Sequence, residues 1–137
     1  MPHPFYPVPD VATLETWFAR SAAEPVVFFN YDRFCPINVI AYGQLAYLET
    51  PVALVDVTRD HAVKRALAAR TGVRHESPQV IVVRDGGAVW SAAHGAITAA
   101  GVRRAVAGAA GPASVCPEER PAGGGRPWYA RWRPRGG

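Results

Sequence analysis

Long apolar runs are absent from this chain of 137 residues. The longest, such as residues 26–29 and 51–55, are far shorter than the ~20 residues that cross a bilayer. The start of the chain also lacks the basic stretch followed by an apolar stretch that characterises a secretory signal peptide. We therefore expect no transmembrane helix and no signal peptide, and we expect the protein to be cytoplasmic.

Cysteine is scarce: the chain has two, Cys35 and Cys116. Two cysteines are too few for a small secreted scaffold held together by disulfides, so that class of protein is excluded. In a reducing compartment both remain thiols until chemistry acts on them. The length and the 49% share of apolar residues fit one globular domain, which excludes a multidomain enzyme.

Positive charge is scarce in the body of the chain, although the net charge is +4. Residues 1–102 carry eight Lys and Arg against nine Asp and Glu, whereas residues 103–137 carry seven Arg against two Glu. Residues 111–137 are also rich in Pro and Gly and lack apolar periodicity, so burial cannot offset the entropy lost on ordering them. We predict a domain at residues 1–110 and a disordered Pro/Gly/Arg-rich tail at 111–137.

The end of this tail interleaves aromatic residues with Arg, from Trp128 to Arg135. Such a pattern is suited to stacking on single-stranded nucleic acid or docking on an anionic surface. It also suits a solvated tail, or one whose Trp side chains pack on the domain. Because residues 1–102 hold no basic patch that could extend a binding surface, the sequence argues against a nucleic-acid partner.

The body of the chain alternates helical and strand patterns. Helical periodicity predicts four helices, at residues 11–22, at 36–48, from Thr58 to near Gly72, and from Thr98 through Val106. Apolar runs predict strands at 25–29, 52–57, 78–84 and 88–92, with a tight turn between the last two. The first two strands should be parallel because a helix joins them. The pattern predicts an α/β, thioredoxin-like fold: a four-stranded mixed sheet of order 2-1-3-4, flanked by helices, with an extra N-terminal helix.

Cys35 is the candidate nucleophile. It follows the loop after the first strand and precedes Pro36, which suits the first turn of a helix because it has no N–H to leave unpaired. At a helix N-terminus the unpaired N–H groups and the helix dipole stabilise a thiolate over a thiol. A lone Cys is often only a small buried apolar residue, but the strand–loop–Cys–Pro–helix context favours the nucleophile.

The second cysteine of a dithiol oxidoreductase is absent, since Asn38 stands three residues after Cys35. The motif therefore predicts a monothiol. Arg33, two residues before the thiol, could favour the thiolate further, although Asp32 opposes it. Cys116 lies ahead of two acidic residues, which disfavour its thiolate, and we do not expect it to act as an efficient resolving thiol.

Ser77 and Pro78 open the third predicted strand, where a Pro is tolerated because its missing N–H need not join the ladder. In a thioredoxin-like architecture this loop faces the start of the second helix, and a cis bond there exposes backbone groups to an incoming disulfide-bearing chain. We therefore expect the Ser77–Pro78 bond to be cis. His75, beside this loop, could orient the thiol or its partner, or could be a hydrogen-bonded structural residue.

Metal-ligand spacing and a phosphate-binding glycine loop are both absent. His75, His94 and Cys35 are not spaced as metal ligands. The glycines at 123–125 neither follow a strand pattern nor open a helix. We expect no metal site.

Residues 34–38, Phe-Cys-Pro-Ile-Asn, resemble the Thr-Cys-Pro-Ile-Ser active-site motif of the YtxJ-like monothiol bacilliredoxins. Residues 72–79 resemble that family too, and their Arg-His-Glu-Ser-Pro-Gln stretch is the most specific match. The resemblance covers about residues 11–106, with further matches at Asp85–Gly86, Trp90, His94 and Ile97–Thr98. Two positions depart from the motif: Phe34 replaces Thr, and Asn38 replaces Ser.

The resemblance implies a thioredoxin fold and the removal of bacillithiol, a low-molecular-weight thiol, from mixed disulfides on cytosolic proteins. Bacillithiol or a similar thiol would be a co-substrate, no cofactor would be tightly bound, and the partners would be S-thiolated proteins. By motif match Cys35 would be the nucleophile, and the residues that contact substrate would be Phe34, Pro36, Asn38, Ser77 and Pro78. The alternative is a non-catalytic thioredoxin-like stress or binding protein in which Cys35 is a regulatory thiol.

Overall fold

The computed structural model describes residues 4–110. In this range the strands are β1 (Phe5–Pro7), β2 (Val26–Tyr31), β3 (Val52–Asp56), β4 (Gln79–Arg84) and β5 (Gly87–Ala93). The helices are α1 (Val11–Arg20), α2 (Pro36–Leu45), α3 (His61–Thr71) and α4 (Ala99–Ala109), with a short 3₁₀ turn at His94–Ala96. The predicted tail, with Cys116 and the segment from Trp128 to Arg135, lies outside the described residues.

All five strands form one mixed sheet in the order β1-β3-β2-β4-β5. β1 and β2 each pair parallel with β3, whereas β4 pairs antiparallel with both β2 and β5. The order and directions of the four predicted strands are confirmed, because the series β3-β2-β4-β5 is the predicted order 2-1-3-4. The β4–β5 turn also forms as predicted, with positive φ at Asp85 and Gly86.

The prediction of a four-stranded sheet is wrong, because β1 adds a fifth strand at the edge. It has three residues, too few to show the two-residue alternation that identifies a strand. Pro7 has no N–H to donate, which an edge strand tolerates. The Val52 N–H donates to the Pro4 carbonyl at 2.7 Å, and the buried Phe5 ring stacks on Tyr42 with centroids 4.3 Å apart.

The third helix starts later than predicted, at His61 and not after Thr58. The Thr58 N–H and hydroxyl both donate to Asp56 Oδ1, at 3.0 and 2.6 Å, so this threonine forms a turn at the end of β3. The first two helices also end two and three residues earlier than predicted. The expected C-cap at Gly72 and N-cap at Thr98 are both present.

β2 lies in the middle of the core and is buried on both faces. Val26 and Phe28 point to the face covered by α1 and α3, and Val27 and Phe29 point to the face covered by α2 and α4. Continuous apolar sequence is expected for a central strand with helices on both sides. The rigid strand ends at Tyr31 and leads directly into the loop that carries Cys35.

No helix within residues 4–110 combines the length and the apolar character that a membrane crossing requires.

Candidate active site

The two segments that resemble a thiol active site come together at one end of the sheet. Asn30, at the end of β2, pairs with Gln79, at the start of β4, in the antiparallel ladder. The loop that follows β2 and the loop that precedes β4 therefore leave the sheet at the same end. The first is the thiol loop, residues 32–35, and the second is the proline loop, residues 74–78.

Cys35 is the N-cap residue of α2, with extended backbone angles (φ −95°, ψ 121°), and Pro36 is the first helical residue. The Cys35 side chain makes no capping hydrogen bond, and the residue is partly exposed. It is the one free cysteine among residues 4–110. The predicted position of Cys35 at a helix N-terminus is confirmed.

Hydrogen bonds hold the thiol loop closely to the start of α2. The Asp32 N–H donates to Asn38 Oδ1 at 3.0 Å, and the Cys35 N–H donates to the Asp32 carbonyl at 3.1 Å. The Asn38 N–H donates to the Cys35 carbonyl at 2.9 Å, and the Phe34 N–H donates to Asp32 Oδ1 at 2.9 Å. Asn38 is only 2% exposed. This side chain holds the loop to the start of α2, and the expected contact between Asn38 and substrate stays a prediction.

Exposed apolar residues are concentrated in the segment that begins beside the thiol. Five of the seven exposed large apolar residues described lie between positions 34 and 47: Phe34, Ile37, Val39, Ile40 and Tyr47. Phe34 is 79% exposed and immediately precedes Cys35. Exposed apolar patches commonly mark protein-binding surfaces. Residues 37, 39, 40 and 47 were missed from sequence; for the first three, the signal is that α2 has more apolar positions than a single buried face can hold.

Arg33 forms an ion pair with Asp56. Its Nη2 lies 2.6 Å from Asp56 Oδ2, and its guanidinium lies over the Phe34 ring at 6.0 Å. Burial raises the pKa of Asp56, but hydrogen bonds from Thr58 and Arg33 outweigh it, so that pKa lies below its usual range. The carboxylate is therefore ionised at neutral pH and pairs with the Arg33 charge. An effect of Arg33 on the thiol stays a prediction.

The proline loop carries the Ser77–Pro78 peptide bond, which is cis as predicted. Pro78 is buried, and its carbonyl accepts from the His94 N–H at 3.0 Å. The Ser77 hydroxyl and His75 Nε2 form a hydrogen bond of 3.0 Å. Burial, followed by the charge of Lys64, lowers the pKa of His75, so the imidazole is neutral at neutral pH. This arrangement is that of a hydrogen-bonded structural histidine that orients Ser77.

A buried amide network anchors the proline loop, and sequence reasoning missed it. Gln79 Oε1 accepts from Asn30 Nδ2 at 2.8 Å and from the Glu76 N–H at 3.3 Å, while its Nε2 donates to the Arg74 carbonyl at 2.8 Å. Asn30 Oδ1 is buried with no partner among the described residues. The available signal was the position of both amides at the ends of otherwise apolar strands, where a buried polar group needs a partner.

Titratable groups are present at this end of the sheet, but no three His, Cys, Asp or Glu within residues 4–110 are grouped so as to hold a metal ion. Glu76 and His94 approach each other at 3.6 Å and link the proline loop to the 3₁₀ turn. The site therefore offers a partly exposed thiol. Hydrogen bonds hold both the thiol loop that carries it and the proline loop at the same end of the sheet.

Comparisons with known proteins agree with this arrangement. A protein-family model described as monothiol bacilliredoxin BrxC matches residues 7–102. A solved structure described as a candidate oxidoreductase with a thioredoxin fold is 23% identical, with a TM-score of 0.68, and the match covers 74% of this chain and 93% of that one.

Thioredoxins from two organisms are more distant in sequence. The thioredoxin of Fasciola hepatica is 15% identical over 75% of this chain and 97% of its own, with a TM-score of 0.60. A thioredoxin variant from Halobacterium salinarum is 18% identical over 82% of this chain and 97% of its own, with a TM-score of 0.59. At these identities the likeness shows the fold alone, and it confirms the thioredoxin-like α/β fold.

Proposed function

The chain belongs to the monothiol bacilliredoxin family, and on that premise we propose that it removes bacillithiol, or a similar low-molecular-weight thiol, from mixed disulfides on cytosolic proteins. The membership supports a thiol oxidoreductase role. The observation that carries the proposal is the position of Cys35, partly exposed at the start of α2, with Asn38 and not a second cysteine three residues later.

The proposed reaction consists of two thiol–disulfide exchanges. In the first, the Cys35 thiolate attacks the small-thiol sulfur of the mixed disulfide. A disulfide forms between Cys35 and the small thiol, the original disulfide breaks, and the substrate protein leaves as a thiolate that takes up a proton. In the second, the thiolate of another small-thiol molecule attacks the same small-thiol sulfur. Cys35 is released as a thiolate, and the small thiol leaves as its symmetrical disulfide.

Each part of the site has a role in this reaction. Cys35, at the start of α2, would supply the attacking thiolate. Exposed Phe34 and Pro36 beside the thiol give a docking protein an apolar surface, as does Ile37. Ser77 and Pro78 leave the sheet at the same end as the thiol loop and would flank the incoming disulfide.

The experiment is turnover of a model protein carrying bacillithiol on a single cysteine, with bacillithiol as reductant. We expect the wild type to release the free protein catalytically, Cys35→Ser to be inactive, and Cys116→Ser, the matched control, to retain activity. Activity in Cys35→Ser would contradict the proposal. Parallel reactions with a glutathione mixed disulfide measure thiol preference.

The regulatory-thiol alternative gives a different result in the same assay. It predicts that Cys35 takes up one small thiol but that excess bacillithiol does not regenerate it at a useful rate. A single stoichiometric burst of released protein, without further turnover, would favour that alternative.

A further inference from the structure

We propose that Asn38 is a positioning residue for Cys35: its buried amide oxygen closes a ring of hydrogen bonds that fixes the thiol loop and so sets the direction in which the sulfur meets a disulfide. The inference rests on the proposed function, because it assigns a role in the same exchange. The inference assigns a role to position 38, where a dithiol oxidoreductase would have its second cysteine.

The ring has three members. Asp32 donates its N–H to Asn38 Oδ1, Cys35 donates its N–H to the Asp32 carbonyl, and Asn38 donates its N–H to the Cys35 carbonyl. Asp32 also caps the Phe34 N–H with its own carboxylate, at 2.9 Å. The loop and the first turn of α2 are therefore joined at both ends, and these bonds restrain the backbone of Cys35.

The side chain of Asn38 is suited to this role in length and in charge. Its oxygen reaches back six residues along the chain to the Asp32 N–H, and the Asn38 residue is only 2% exposed. A cysteine at this position would be a weak acceptor. A carboxylate would accept the same hydrogen bond, but its negative charge would disfavour the nearby thiolate. An amide provides the acceptor without the charge.

The test uses the full chain with Cys116→Ser, so that Cys35 alone reports, and a small aromatic disulfide as probe. The Cys35 thiolate attacks one sulfur of the probe, the disulfide breaks, and a coloured thiolate leaves. The variants are Asn38→Leu, which removes the acceptor and keeps the branched arrangement of heavy atoms, and Asn38→Asp, which keeps the acceptor and adds charge. Gly43→Ala is the matched control on α2, since an added methyl there meets nothing within 4 Å.

We expect Asn38→Leu to react with the probe at least about tenfold more slowly than the wild type, because a loosened loop misaligns the sulfur. Amide hydrogen exchange at Asp32 should accelerate in the same variant. Asn38→Asp should keep that amide protected but move the midpoint of its pH–rate curve to higher pH by about one unit. Gly43→Ala should match the wild type in both measurements.

Wild-type rates in Asn38→Leu would overturn the proposal. So would a wild-type pH–rate curve in Asn38→Asp, which decides the matter if Asn38→Leu does not fold. The probe carries neither bacillithiol nor a docking protein. Failure of the turnover assay together with these expected results would therefore refute the proposed function and leave the positioning role standing.

Discussion

Gln79 should contribute far more to stability than its hydrogen-bonded neighbour Asn30, although both amides are buried. Changing Gln79 to Met keeps the length of the side chain but removes all three of its hydrogen bonds. The buried Asn30 Nδ2 then has no partner, which costs about 1–3 kcal/mol. The Glu76 N–H and the Arg74 carbonyl are only partly buried and can turn to water, so each adds less than about 1 kcal/mol. We expect a total loss of about 2–4 kcal/mol.

For Asn30→Leu the same geometry predicts only a small change in stability. It removes one hydrogen bond, but it also removes Oδ1, a buried oxygen that has no partner among residues 4–110. These two effects oppose each other, so the free energy of unfolding should change by less than about 1 kcal/mol. In the double variant Asn30→Leu/Gln79→Met, no Asn30 amide is left unpaired. The double variant should therefore lose less stability than the two single losses added together.

Urea unfolding of the full chain at pH 7 measures these differences. A loss of 2–4 kcal/mol corresponds to a fall of ~1–3 M in the urea midpoint, given the usual slopes for domains of this size. Faster hydrogen exchange at the Glu76 amide in Gln79→Met would show that the loss is local to the proline loop. Equal losses for Gln79→Met and Asn30→Leu, or a strictly additive double variant, would refute the network as described.

Three further predictions concern single side chains. Phe34→Ser should leave the free energy of unfolding within ~0.5 kcal/mol of wild type, because the ring is exposed. The variant should raise KM for a protein mixed disulfide and leave the rate with a small disulfide unchanged. An unchanged KM would exclude a docking role for Phe34. As pH falls from 7.5 to 5.5, the free energy of unfolding in urea should decrease less for His75→Gln than for the wild type. The lowered pKa of His75 means that below its usual 6.5 the unfolded chain binds a proton that the folded chain resists; identical losses would count against this. Asp56→Asn should lower the urea midpoint at pH 7. The difference should shrink as pH falls below 3.8, because the lowered pKa of Asp56 stabilises the folded state and this stabilisation is lost as the folded-state carboxylate takes up a proton; an undiminished difference at pH 3 would contradict it.

The sequence was most informative where one residue decides the local structure. The apolar run of β2, the Asp85–Gly86 turn and the Gly72 cap each have a local physical cause, and each was predicted. The position of Cys35 also followed from local rules, because Pro36 and the preceding strand are enough to place a thiol at a helix start.

The sequence was least informative where long-range pairing decides. β1 forms because an edge of β3 is available to it, which no three-residue pattern can indicate. Arg33 binds Asp56, 23 residues away in the chain, a partner that its nearness to Cys35 does not indicate. Asn38 was interpreted by its place in a motif, whereas its actual partner, the Asp32 N–H, depends on the path of the loop.

The mass of the protein after a single turnover tests the central claim most directly. Equimolar protein and a bacillithiol-modified substrate are mixed without added reductant at low protein concentration, and the modified peptides are mapped by mass spectrometry. The account predicts free substrate and one bacillithiol on Cys35. Unmodified protein beside intact substrate, or a dominant disulfide between Cys35 and Cys116, would contradict it.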